Sequence, residues 1–368
     1  MTQTTHGRHE APEAEAPDAP DGAETTEAAA RQGFWAELAG AVSVRTVGLI
    51  LGVLLLQLGF VLSYVGAFHQ PTPHRIEIAV VAPATVSAST VDGLNGIEGE
   101  PFAATAAADE ASARQQLLDG TTSAVYLVNA SGTQDTLLVA SAGGASKATA
   151  IEAEFRGVEA ARDRTASVQD VLPTQSGDNR GLTGFYLVLG WTVGGYLAAA
   201  LLGIAMGARP ATPRRSVFRL LAIVPYAVLS GLGGALVVGP VLGALTGHTV
   251  ALWLLGSLVV FAAAAVTMAF QALLGVLGIG LTVLVFVILG NPSAGGAYAP
   301  ELLPSFWRTI GGAIPNGAGT AAVRSLVYFG GQGVGLRLVV IGIWAAAGVA
   351  LALIASRVMH RRTDPLQA

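Results

Sequence analysis

At 368 residues the chain has room for two or three soluble domains, but 52% of it is hydrophobic and only 12% is charged, against about 25% charged in a soluble domain. Between Asp178 and Glu301 there is no Asp, Glu or Lys, and the only basic residues are Arg180, Arg209, Arg214, Arg215 and Arg219. So long a stretch without carboxylates excludes a solvated surface and identifies an integral membrane protein. The lack of cysteine excludes disulfides, zinc–thiolate sites, iron–sulfur clusters and thiol nucleophiles. The single lysine, Lys147, follows Ser146, so there is no Gly-Lys-Ser/Thr phosphate loop and the chain has no ATPase motif of its own. The Arg bias and Ala/Gly richness suit a high-GC bacterial genome.

Residues 1–32 hold seven acidic residues against Arg8 and Arg31 and little that could form a core; they predict a disordered acidic tail. The apolar run that follows comes too late and is too long for a secretory signal. Phe34, Trp35, Leu38 and Val42 recur at helical spacing within 33–45, as in a short helix lying in a membrane interface or leading into the next helix.

Thr46–Ala67 is the first uncharged apolar run, and at about 1.5 Å per residue it covers the roughly 30 Å hydrocarbon layer. Further runs at 183–206, 217–239, 249–270, 271–290 and 334–356 predict six spans, with the long stretch from Thr249 to Gly290 folding back near Gln271. Arginines precede the first span (Arg31, Arg45), join the second to the third (Arg209 to Arg219) and follow the sixth (Arg357, Arg361, Arg362). The positive-inside rule puts all three groups, and both termini, in the cytoplasm of a bacterial plasma membrane.

The segment 68–182 is then outside, with 14 acidic and 7 basic residues. Strand signals at Ile76–Val81, Val125–Val128, Thr136–Ala140 and Ser167–Leu172 alternate with helix signals at Asp109–Leu118 and Ala145–Thr165. That order, β-α-β-β-α-β, predicts a small extracellular α/β sandwich with its helices on one face. The fold class is thus an α-helical polytopic membrane protein with an inserted α/β domain. A second outer segment, 291–333, carries Leu302, Leu303, Phe306, Trp307, Ile310 and Ile314 between prolines and reads as short amphipathic helices, either at or dipping into the outer face or packed on the bundle. The sixth span (334–356) leads to a cytoplasmic tail, 357–368.

No carboxylate lies in a predicted span, which argues against proton coupling. His6, His9, His69, His74, His248 and His360 form no metal or catalytic pattern, and no Gly-x-Ser-x-Gly elbow occurs. No catalytic residue, cofactor, metal or nucleic-acid partner is expected; the chain reads as a non-enzyme. The pairs Gly190/Gly194, Gly203/Gly207 and Gly239/Gly243 offer close helix packing within or between subunits. Trp191 and Tyr196 read as packing or interface aromatics.

Four stretches carry a family resemblance: IEIAVVAP (76–83), ARQQLLDGTTSAVYLV (113–128), GDNRGLTGFYLVLGWTVGGYL (177–197) and the outer loop NPSAGGAYAPELLPSFWRTIGGAIPNGAGTAAVRSLVYF (291–329). With one span, a large outer domain and five further spans, the chain resembles the type-2 permeases of ABC transporters, in the branch of phage-infection-protein-like membrane proteins. The resemblance implies a homodimeric exporter subunit powered by a separate cytoplasmic ATPase. It implies ATPase contacts at Phe34, Trp35, Arg45, Arg209, Arg214, Arg215 and Arg219, and an outer-loop element at Pro304, Trp307, Pro315 and Arg324. Lack of charge in the spans favours apolar or amphipathic cargo. The alternative is a non-transporting receptor or secretion scaffold acting through the outer domain.

Overall fold

The computed structural model describes residues 43–210 and 212–363. The chain divides within the first described helix, α1 (Val44–Phe68): described residues to Leu55 belong to one compact unit and those from Leu56 to another. In the first unit, the Ser43 hydroxyl accepts from the Thr46 amide (3.2 Å) and starts the helix. Beyond it the side chains are apolar all round and exposed, Val44 by 90% and Val53 by 65%, as in a helix that meets lipid rather than water.

The second unit opens with a mixed five-stranded sheet. Its elements are β1 (Ile76–Val81), α2 (Ala84–Asn95), β2 (Phe102–Ala106), α3 (Glu110–Leu118), β3 (Ala124–Leu127), β4 (Gln134–Val139), α4 (Ala145–Ala160) and β5 (Thr165–Asp170). The strand order is β2-β1-β3-β4-β5, antiparallel only between β3 and β4. This adds one helix and one strand to the order expected from sequence. The extra pair, ATVSASTVDGLN and FAATA, is rich in Ala, Ser and Thr and gives little apolar periodicity at either period.

The addition moves the helices to both faces. The chain runs from β1 outward to β2, then back past β1 to β3, and right-handed crossovers of opposite direction place α2 and α3 on opposite sides. Ile76, Ile78 and Val80 accordingly pack with Leu94 of α2 and with Ile151 and Phe155 of α4. Ala79, Val125 and Leu138 pack with Ala113 and Leu117 of α3. Burial on both faces explains why IEIAVV shows almost no alternation.

The rest is a helical bundle: α5 (Thr183–Met206), α6 (Pro213–Leu236), α7 (Thr249–Leu274), α8 (Leu277–Val283), α9 (Ser305–Gly311), α10 (Pro315–Tyr328) and α11 (Val334–Thr363). The helices α1, α5, α6 with its extension to Val241, α7 and α11 are long and apolar enough to cross a membrane, which fits a multi-pass membrane protein. The apolar segment expected to be a further span is shorter, Leu277–Leu289, with a π-helical second half, and is roughly 20 Å long. The fold-back also comes later than Gln271. Gln271 is buried inside α7, and the chain turns at Gly275, whose φ of +64° suits glycine.

At the bundle centre α7 packs against α5, α6 and α11. Ala262 to Ala265, a full turn of α7, are all buried, and these small side chains let the surrounding backbones come close. A Cβ on Gly195 of α5 would strike the Val260 carbonyl, whereas Gly190 faces open space. Trp191 is buried with its ring against Gly234 of α6 and Gly256 of α7. Of the glycine pairs seen in the sequence, Gly203 packs within the chain, against the side chain of Gln271.

Candidate functional site

At one end of the bundle lie the arginines singled out in the sequence. Thr212 caps α6 by accepting from the Arg215 amide (3.3 Å), with Pro213 in the first turn. The ends of α5 and α7 leave helix-end carbonyls to be satisfied, and two arginines do this. Arg219 donates to the Met206 carbonyl at 2.7 Å and the Gly207 carbonyl at 2.9 Å, and Arg209 donates to the Leu273 carbonyl at 3.2 Å. Arg214 and Arg215 are exposed. Arg215 and Arg219 line a groove of about 480 Å³ with Leu202, Met206, Phe218 and Ala222. Arg45 is an exposed residue of the first unit, and Phe34 and Trp35 lie outside the described residues.

The four outer-loop residues separate into two places. Pro304 precedes α9 in an extended conformation, which sets Trp307 one turn in. The Trp307 ring lies against Gly66 of α1, its Nε1 donates to the Ser63 hydroxyl (3.2 Å), and Ser63 donates to the Ile288 carbonyl (2.5 Å). Three segments are thereby pinned together at the π-helical stretch Leu284–Leu289. Trp307→Ala is expected to cost about 2–3 kcal/mol, less than a fully buried Trp because the residue keeps some exposure. Trp307→Phe, which loses chiefly the hydrogen bond, should cost about 1 kcal/mol. Thermal unfolding in detergent measures both, and no loss on Trp307→Phe would show that the indole N–H adds nothing.

Pro315 starts α10, which is not an interfacial helix: Pro315 to Thr320 are buried and the helix packs on α5, α7 and α11. Asn316 compensates for the irregular backbone beside it, donating to the Phe286 carbonyl (3.0 Å) and the Asn291 side-chain oxygen (2.7 Å). One turn beyond Thr320 the same helix carries Arg324 into a polar cavity.

That cavity, of about 210 Å³, lies between the sheet and the bundle and is lined by Lys147, Glu301, Arg324 and Arg337 together with Thr122 and Ser123. Lys147 Nζ is 3.2 Å from Glu301 Oε1, while Glu301 Oε2 is enclosed without a partner. Burial pushes the Glu301 carboxyl up, but Lys147 and Arg324 outweigh it and hold it below its ordinary value. Arg324 makes one hydrogen bond, from Nη2 to the Gly295 carbonyl at 3.3 Å. Behind it, Asp178 accepts from the Thr183 amide (2.9 Å) and hydroxyl (2.7 Å) and from the Tyr328 hydroxyl (2.9 Å). Asp178 and Glu301, the two carboxylates that bound the acid-free stretch in sequence, both favour the charged form of Arg324 from a distance, against its burial. Sequence reasoning picked out Arg324 alone from this cluster. The signal for Lys147 and Glu301 was their rarity, as the only lysine and the first acid after 122 acid-free positions.

A second polar cluster is internal to the sheet. Tyr126 Oη lies 2.7 Å from Asp135 Oδ2 and 2.5 Å from Glu159 Oε1. Asp135 also accepts from Arg164 Nη2 (2.5 Å) and Nε (2.7 Å) and from the Asn129 amide (2.7 Å). Nearby, a cleft of about 570 Å³ opens at the carboxyl ends of β1 and β3, lined among others by Thr85, Ser89, Asn129, Arg162 and Arg164. It sits where the strand order reverses, the usual crevice position in open α/β sheets.

No family model, curated protein or solved structure matches the chain.

Proposed function

We propose that the chain is the permease-like membrane subunit of an ABC-type exporter in a bacterial plasma membrane, moving an apolar or amphipathic substrate outward with a separate cytoplasmic ATPase. In this reading Leu277–Leu289 completes six spans, both termini are cytoplasmic, the α/β unit is extracellular and two copies form the transporter. The observation that carries the reading is the α5–α6 turn. Arg209 and Arg219 are committed to helix-end carbonyls, while Arg214 and Arg215 are exposed beside an apolar groove with Phe218 on its wall. A pair of uncommitted cations next to apolar surface suits docking of a soluble partner.

Purification in mild detergent is expected to bring down a nucleotide-binding protein, and the Arg214→Glu/Arg215→Glu variant to reduce that recovery about tenfold by placing like charge against an acidic partner. Clean wild-type protein with no nucleotide-binding partner would sink the reading. The alternative, a receptor or scaffold, is favoured by the cleft at the carboxyl ends of β1 and β3. It requires that removal of residues 70–180 abolish function while the bundle still folds.

A further inference from the structure

We propose that the cavity between sheet and bundle is a binding site for a phosphate group, held by Lys147, Arg324 and Arg337. The inference goes beyond the transport reading and does not depend on it.

Three cations from separate segments meet there: Lys147 from α4, Arg324 from α10 and Arg337 from the first turns of α11. Of the acids close by, Glu301 faces Lys147 and lines the cavity. Asp178 is committed to Thr183 and Tyr328. Three positive charges against two negative leave an excess of one, in a partly enclosed cavity where unbalanced charge is less well solvated than at an open surface. An anion entering the cavity removes that imbalance.

The donors favour phosphate in particular. A guanidinium has five N–H donors, and Arg324 uses one of them, in a long bond to the Gly295 carbonyl. Two guanidinium forks and an ammonium around one small space match the several oxygens of a phosphate better than the two of a carboxylate. The enclosed Glu301 Oε2, which has no partner, can accept from a P–OH or from a water carried in with the anion. The wall is polar on the sheet side, with Thr122 and Ser123, and Arg337 belongs to a membrane-length helix. Both a soluble phosphate and a phospholipid headgroup can therefore present the group.

The test uses the full chain in two arms. In neutral detergent, inorganic phosphate is titrated at constant ionic strength and the shift in melting temperature is compared with that from chloride. In phosphatidylcholine nanodiscs with and without phosphatidic acid, the lipid retained by the protein is read by native mass spectrometry. Binding in the first arm alone identifies a soluble phosphate, in the second alone a headgroup, and in both a site open to either. Lys147→Gln and Arg337→Gln are each expected to weaken that binding roughly tenfold. Two variants are used because Lys147→Gln strips Glu301 of its partner and can affect folding, whereas Arg337 is in no ion pair with it. Binding in neither arm, or unchanged binding by a folded Arg337→Gln protein, overturns the proposal.

Discussion

Gly195→Val is expected to prevent the bundle from folding, whereas Gly190→Val on the same helix leaves it intact. A Cβ at Gly195 would overlap the Val260 carbonyl and crowd Ala263 at 3.0 Å, so the obstacle is the backbone of α7, which cannot rotate away. Overfilling a packed core with side chains alone costs about 1–3 kcal/mol, and pushing two central helices apart also forfeits the contacts of α5 along α7. A loss above about 3 kcal/mol is expected on that basis, a large part of the stability of an ordinary domain. At Gly190 nothing lies within 4 Å. The check is the yield of monodisperse protein in detergent and its melting temperature. A well-folded Gly195→Val protein would mean that α5 and α7 do not touch as described. A folded Gly190→Val protein with an altered oligomeric state would identify that side of α5 as a contact between copies.

The second large effect concerns the sheet. Asp135 is fully buried and accepts from Tyr126, Asn129 and Arg164. Asp135→Ala removes the acceptor for all three, and breaking a buried pair from one side costs about 3–5 kcal/mol. Glu159 is expected to behave in the opposite way. The Tyr126 hydroxyl has one proton and two carboxyls within reach. With Arg164 stabilising Asp135 as the anion, burial shifts Glu159 toward its protonated form, in which it would donate to Tyr126. Its Oε2 is buried without a partner, and burial raises the carboxyl above its ordinary value despite the hydrogen bond to Tyr126. Glu159→Gln, which supplies a donor with no proton to lose, should stabilise the protein at neutral pH by about 1 kcal/mol.

The pH dependence separates the two acids. For Asp135, burial pushes up, but Arg164, Tyr126 and Asn129 outweigh it and hold the carboxyl below its ordinary value. Its contribution is therefore complete above the unfolded carboxylate value, about 3.9, and is lost as the pH falls through the lower folded value. For Glu159, raised in the folded state, the contribution is complete below about 4.3 and declines as the pH rises through the folded value. The advantage of Glu159→Gln over wild type should thus shrink on acidification toward pH 4. Melting curves of the two variants across pH 4 to 8 measure this, and a pH-independent difference would exclude proton retention by Glu159.

The membrane character, the apolar helices and the position of the polar segment were legible because they rest on composition summed over twenty or more residues. Thr183–Met206 is such a case: its hydropathy alone delimits the helix. The helix and strand at Ala84–Asn95 and Phe102–Ala106 were not legible, since runs of Ala, Ser and Thr take their structure from the sheet they complete. Arg324 stood out in the outer loop, but its partners did not, because Lys147 and Glu301 are 154 positions apart and meet only through the packing of α4 against the Pro300–Leu302 turn. Likewise, an arginine cluster in sequence says nothing of which members cap helix ends, and only their distances to the Met206, Gly207 and Leu273 carbonyls separate Arg209 and Arg219 from Arg214 and Arg215.

Length, composition and charge by themselves determined a chain that belongs in a membrane and carries no phosphate loop of its own. Those are additive properties of residues, indifferent to arrangement. Tertiary structure alone decided that the carboxylates at the two edges of the acid-free stretch, Asp178 and Glu301, come near enough to one arginine to act on its charge. A charge balance in a partly enclosed cavity depends on distances of a few ångströms between segments far apart in the chain, and no local pattern encodes these.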